Sequence, residues 1–389
     1  MLKKFCLAVG SCVLFFLLLE GFFSSLLVAY EMWSPQRRTM TGPSMQYHPE
    51  LGWVSVPNYY DQNYFAPNIY LRTNSRGFRA NEEFTERVPP GKLRIICSGG
   101  SFAFGEGVSN DHTWCQDLET IDDRFQTANM SESGYGADQM YLRYKLDGSV
   151  LDHDIHVFAF TTENFRSMPL TVYVGHGKPV LKLKNGKLVT ENVPVPKEPR
   201  ILTWLGTKRV QLRELRSVKL VGPLVGRAVS AKDAFSDGPT EEQSQILDRM
   251  FEDLQTIERE KNSVLVLFCL PSKLHHYEED GPTPAWRNWL RAESAKRDIL
   301  YIDLIDDFQK LPVTTRDGMF IWPGSLQYFA EAPGHYDDQG HEWVAKELYA
   351  RLIAIPQVAE KLALHSDGQV AKARVDPSSR SADVHGLSK

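Results

Sequence analysis

A chain of 389 residues, 42% hydrophobic, 11% aromatic and 24% charged, lies in the globular range and suits one large domain with appendages. Its formal net charge is -5, with Lys and Arg scattered among acids, which excludes the clustered basic surface that nucleic-acid binding requires. The five cysteines, at 6, 12, 97, 115 and 269, have no metal-ligand spacing; Cys97 and Cys269 fall in predicted strands and read as small core hydrophobes.

The run from Phe5 to Tyr30 is apolar apart from Glu20 and small polar residues. A secretory signal has an apolar region of only about 7–15 residues, and no Ala-x-Ala site closes this run. A helix of about 20 residues spans a bilayer, so residues 1–32 are predicted to be a single transmembrane anchor. Lys3 and Lys4 hold the amino terminus in the cytoplasm, although Arg37 and Arg38 pull the other way. The expectation is a single-pass protein of the cell inner membrane with a periplasmic domain. Glu20 is costly at that depth.

Residues 33–90 are rich in Pro, Asn and Tyr and read as an irregular arm packing on the domain, with Trp53, Tyr59, Tyr60 and Tyr64 as its packing face. The domain itself is expected over 91–358, with an insertion near 170–240. Leu93–Ser98 is the first strong strand and ends in Gly99-Gly100-Ser101; Thr113–Ile121 suits a helix and His156–Phe160 a buried strand. Val180–Lys184, Asn185-Gly186 and Leu188-Val189 form a hairpin signature with a type I′ turn. Mixed helical pieces fill 197–240. Thr240 opens a helix that keeps Ile246, Met250, Leu254 and Ile257 on one face. Val264–Leu270 is a strand, Trp286–Ala295 a helix, Ile299–Leu304 a strand and Trp343–Ile355 the last helix. Strands alternating with helices imply a parallel sheet covered on both faces. Residues 359–389 are polar and predicted to be a disordered tail.

In such a sheet, ligands gather at the carboxyl ends of the strands. Ser101 directly follows one, behind two glycines, where a serine can present its hydroxyl beside backbone N–H groups. The Gly-x-Ser-x-Gly elbow is absent, since Ala103 fills its last position. Gly105-Glu106-Gly107 is too short for a dinucleotide fingerprint. His275-His276 beside Glu278-Glu279-Asp280 has no second cluster to complete a metal site, so no metal or organic cofactor is expected.

The segment Gly99-Gly100-Ser101-Phe102-Ala103-Phe104-Gly105-Glu106-Gly107-Val108 resembles the first block of the SGNH (GDSL-like) hydrolase superfamily. Asn129–Gln139 is similar to its second block, and Gly334-His335-Tyr336-Asp337-Asp338-Gln339-Gly340 to its terminal histidine segment. Asn74–Arg79 and Asn192–Pro196 look like a membrane-anchored bacterial branch. Together these cover roughly residues 50–355. The resemblance implies a three-layer α/β/α flavodoxin-like fold, Ser101 as nucleophile, and Gly134 as an oxyanion donor. It also implies a serine esterase or acyl hydrolase acting on an acylated envelope glycan or lipid. Alternatives are an O-acyltransferase on envelope polysaccharide, or a catalytically retired carbohydrate- or protein-binding module.

Three positions bear on activity. His335 is the expected general base. His341, in an Asp338-x-x-His341 spacing, is its rival, but falls in the first turn of the last helix. The family's asparagine after the third strand is replaced by Glu163, which leaves Asn164 either as the amide donor shifted by one residue or as a helix cap. The family's aspartate before the histidine is also missing, since Pro333 and Ala332 stand there. Glu331 is the first substitute; Asp317, Asp337 and Asp338 are others, and a Ser–His dyad supported by a backbone carbonyl is the remaining possibility.

Overall fold

A computed structural model of the chain describes residues 3–4, 9–16, 18, 20–22, 42–197, 238–276, 284–326, 328–329 and 332–363. Among the described residues no helix is long and apolar enough to cross a membrane. The rest of the expected anchor, the helical pieces between 198 and 237, Glu331 and the tail beyond 363 lie outside the described residues.

The central sheet has five parallel strands: β5 (Leu93–Gly99), β6 (Phe125–Asn129), β7 (Ile155–Phe160), β12 (Val264–Cys269) and β13 (Leu300–Asp303). Their spatial order is β13-β12-β7-β5-β6, the flavodoxin-like order read from one edge. The central strands are buried throughout, and their side chains alternate between two cores because successive Cβ atoms point to opposite faces.

On one face Ile96, Phe158, Phe160 and Leu267 meet α3 (Ala137–Arg143), α5 (Glu241–Glu260) and α6 (Pro284–Arg297). On the other, Ile95, Val157 and Phe268 meet α2 (Trp114–Ile121) and α9 (Asp338–Ile353). This is an α/β fold of three layers. Val358 and Leu362 are buried in the second face, so the packed chain runs past the expected boundary at 358.

Upstream of the sheet, the arm contains two antiparallel hairpins, β1 (Met45–His48) with β2 (Gly52–Ser55) and β3 (Tyr60–Ala66) with β4 (Ile69–Arg72). It is therefore more regular than its composition suggests. Polar Asp61, Gln62 and Asn63 interrupt the alternation that would have marked β3 as a strand. Tyr64, Phe65, Ala66 and Leu71 form a third apolar cluster with Phe104, Ile321, Leu326, Phe329 and Ala332. That cluster lies beneath the loops after β5 and before α9.

The insertion contains the small hairpin β8 (Val172–Tyr173) with β9 (His176–Gly177) and the larger β10 (Val180–Lys184) with β11 (Lys187–Glu191). Asn185 and Gly186 carry the positive φ values of the type I′ turn read from the sequence. Thr240 and Gln243 close the expected capping box on α5.

Candidate active site

The chain order reverses between β5 and β7, which places the switch point of the sheet at their carboxyl ends. Ser101 begins α1 (Ser101–Phe104) immediately after β5; α4 (Glu163–Arg166) follows β7; and Gly134 lies in the loop after β6. A cleft of about 260 Å3 opens there, lined by Ser101, Gly134, Glu163, Asn164, Ser272 and His335 among others.

His335 Nε2 lies 2.7 Å from Ser101 Oγ, across 234 positions of chain. Its Nδ1 lies 3.1 Å from the Ala332 carbonyl oxygen. A carbonyl only accepts, so Nδ1 carries the proton and Nε2 presents a lone pair to the Ser101 hydroxyl. Phe102 packs against the ring, with centroids 4.7 Å apart, and the tight turn is closed by the His335 N–H donating to the same Ala332 oxygen. The neighbouring Tyr336 is buried and donates its hydroxyl to the Pro271 carbonyl. Among the described residues, the acceptor facing Nδ1 is thus a backbone carbonyl.

Two backbone N–H groups flank the nucleophile. Neither the Ser101 N–H nor the Gly134 N–H finds an acceptor among the described residues, and both residues border the cleft. They are the pair expected to hold an oxyanion.

Asn164 also borders the cleft, but its side chain is partly committed. Oδ1 accepts from the Thr161 N–H at 2.8 Å, and Nδ2 donates to the Tyr135 carbonyl at 2.7 Å. Asn164 lies within α4, whose N-cap is Thr162, so it does not cap that helix; its amide instead ties the Thr161 and Tyr135 backbones together, with one of its two N–H groups spent. The amide lies so close to Gly100 that a Cβ there would sit 2.4 Å from Nδ2, which explains the glycine before the nucleophile.

Glu163 stands in the cleft itself. One carboxylate oxygen is 3.4 Å from Ser272 Oγ, and the other is buried with no hydrogen-bond partner. His341, the rival base, is buried and serves the fold: its Nδ1 accepts the Trp114 N–H at 3.1 Å, and burial drives its pKa well below the usual imidazole range.

Two arrangements escaped the sequence reading. Glu106, only 2% exposed, points Oε2 at His335 Nε2 from 3.6 Å. A carboxylate between two glycines five residues after the nucleophile was the available signal. The second is a buried chain in the sheet: Ser98 Oγ lies 2.5 Å from His156 Nε2, and His156 Nδ1 lies 2.7 Å from Glu258 Oε1. The other Glu258 oxygen is 2.9 Å from His153 Nε2. This Ser–His–Glu order mimics a hydrolytic triad, but all three side chains are sealed in the core and serve to satisfy one another.

No protein-family model and no curated protein matches this chain. Solved structures similar to it include a member of the lipolytic protein G-D-S-L family from Veillonella parvula DSM 2008, at 12% identity over 66% of this chain and 97% of that one, with a TM-score of 0.36. An acetyl xylan esterase, AlAXEase, is similar at 14% identity over 67% and 100% of the two chains, with a TM-score of 0.38. A lipase/acylhydrolase from Enterococcus faecalis is similar at 11% identity over 67% and 95%, with a TM-score of 0.37. At such identities the chemistry of this chain rests on its own side chains.

Proposed function

We propose that the protein is a serine-dependent acyl ester hydrolase of the SGNH type, with Ser101 as nucleophile and His335 as base. The observation that supports this most directly is the 2.7 Å approach of Ser101 Oγ to a ring nitrogen whose tautomer is set by Ala332. Ser101 Oγ bonds to the ester carbonyl carbon while its proton passes to His335 Nε2, and the carbonyl π pair moves onto an oxygen facing the Ser101 and Gly134 N–H groups. Collapse breaks the bond to the alcohol, which leaves with the proton from Nε2. Water then repeats the sequence and frees the acid.

The substrate we propose is an acylated envelope glycan or lipid, met by a domain held outside the cytoplasmic membrane by the apolar run at 5–30. A cleft of about 260 Å3 favours a short acyl group. A second reading, transfer of that group to a sugar hydroxyl, is favoured by Glu163. Its buried, unpartnered oxygen is an acceptor suited to a hydroxyl donor, whereas it would repel an oxyanion.

The test is labelling of the full chain with a fluorophosphonate probe. Wild type should react and Ser101→Ala should not. Equal labelling of both would remove Ser101 as nucleophile, and labelling of neither would leave a binding module.

A further inference from the structure

The turn that carries the Gly134 donor is gripped by a strand of the arm. The Tyr135 N–H donates to the Glu132 carbonyl at 3.3 Å, closing a β-turn around Ser133 and Gly134. Gly134 has a φ of 75° whereas Ser133 does not lie at positive φ, which makes the turn type II. Types I and II differ by a half-rotation of the central peptide, here the one joining Ser133 to Gly134. Glycine at the third position adopts either form, so Gly134 by itself does not choose between them.

The choice matters because that peptide contains the oxyanion donor. In a planar trans peptide the C=O and the following N–H point in opposite directions. Whatever holds the Ser133 oxygen on one side therefore aims the Gly134 N–H to the other. A half-rotation would withdraw the N–H and turn a carbonyl oxygen toward the developing negative charge.

Trp53 supplies the hold. Its Nε1–H donates to the Ser133 oxygen at 2.9 Å, and its own carbonyl accepts from the Tyr135 hydroxyl at 2.5 Å. One residue of β2 thus grips the chain on both sides of Gly134. The indole is 1% exposed and meets the Tyr135 ring edge-on, with centroids 5.5 Å apart. Residues two positions away in either direction, which share its face of the strand, reinforce the grip. The Leu51 carbonyl accepts from Gln139 at 2.9 Å, and the Ser55 N–H donates to Glu132 at 2.7 Å. Glu132, where the turn begins, is held in addition by buried Arg143 at 2.7 Å. Trp53 does not border the cleft, so its pull on the Ser133 oxygen is directed away from the substrate.

We propose that Trp53 is a positioning residue for the oxyanion hole: its indole N–H fixes the Ser133–Gly134 peptide in the orientation that presents the Gly134 N–H to the cleft. This rests on the hydrolytic reading of Ser101 and His335. The hydrogen bond accepted by the Ser133 carbonyl also polarises the peptide and makes its N–H a better donor. The arm thereby takes part in catalysis without touching the substrate.

The experiment uses the full chain carrying Trp53→Phe, which keeps an aromatic ring and removes the N–H. Fluorophosphonate labelling taken to completion first counts the active sites, which separates a smaller folded fraction from a slower site. Per labelled site, kcat on nitrophenyl acetate should fall about 10-fold with KM little changed. The inhibition constant of phenylboronic acid, which adds to Ser101 as a tetrahedral anion, should rise by a similar factor. Tyr135→Phe, which cuts the grip at its other end, should lower kcat per site about threefold. The two substitutions together should cost less than the product of their separate effects, because both release the same turn. A folded Trp53→Phe protein with kcat per site within twofold of wild type, or with an unmoved boronate constant, would overturn the proposal. If Trp53→Phe does not fold, an unchanged kcat per site in Tyr135→Phe would do the same. A wild type that neither labels nor hydrolyses the ester would overturn the hydrolytic reading itself, and this proposal with it.

Discussion

The carbonyl oxygen of Ala332 lies 3.1 Å from His335 Nδ1, three residues further along the same loop. A ring in this position gains the correct tautomer from its own backbone.

The base itself is the simplest element to remove. His335→Gln should lower ester turnover by on the order of 10⁴-fold or more, since glutamine cannot take the Ser101 proton. Its side chain is 16% exposed at the edge of the cleft, so the melting temperature should move little. Turnover above a tenth of wild type would mean that the base lies elsewhere.

Glu106 also predicts a pH dependence of stability. Its folded pKa of about 7 lies above the ordinary value of about 4.5, so between these pH values the folded chain binds more protons than the unfolded one. Stability must therefore fall as pH rises through that window and stay lower above it. The size of the effect is about 3 kcal/mol. Glu106→Gln should be the flatter protein and, at pH 8, the more stable one. Denaturant titrations at pH 4.5 and pH 8 give the comparison, and parallel behaviour of the two proteins would show that the carboxyl is not held protonated.

The Ser98–His156–Glu258 chain should matter to folding and not to chemistry. Glu258→Gln breaks a buried charged network and should cost about 3–5 kcal/mol. Ser98→Ala should leave fluorophosphonate labelling intact, because no cleft reaches a hydroxyl that is sealed within the sheet. Loss of labelling in a folded Ser98→Ala protein would contradict this assignment.

Phe65 is fully buried in the cluster that underlies both catalytic loops. Phe65→Ala should destabilise the chain by about 3–5 kcal/mol, and it should lower turnover even well below the melting temperature. A variant that loses stability but keeps full turnover would show that the loops hold their geometry without this support.

Much of the sheet could be read directly from the chain. Leu93–Ser98, His156–Phe160, Val264–Leu270 and Ile299–Leu304 are nearly continuous apolar runs, as strands buried on both faces must be. β6 could not be read, because Phe125-Gln126-Thr127-Ala128-Asn129 carries three polar side chains. Each is matched only in three dimensions: Gln126 by Arg94, Thr127 by Glu119, and Asn129 by the Ala103 carbonyl. The site divides in the same way. Ser101 and His335 stand beside glycines in recognisable blocks, and the structure brings them together. The role of Asn164 was not legible, because its amide is held between the Thr161 and Tyr135 backbones, which meet only in the fold. Glu106 carried only the weak sign of a carboxylate between two glycines, since what it faces lies more than two hundred positions away.

The β3–β4 hairpin supplies Tyr64, Phe65 and Leu71 to the floor on which Phe104 and Ala332 rest. A chain shortened to begin at Leu93 would keep all five sheet strands and still be disarmed, for its nucleophile and base would have no common keystone. The arm that the sequence reading packs on the domain is therefore part of the catalyst's support, and the two would have to be transplanted as one piece.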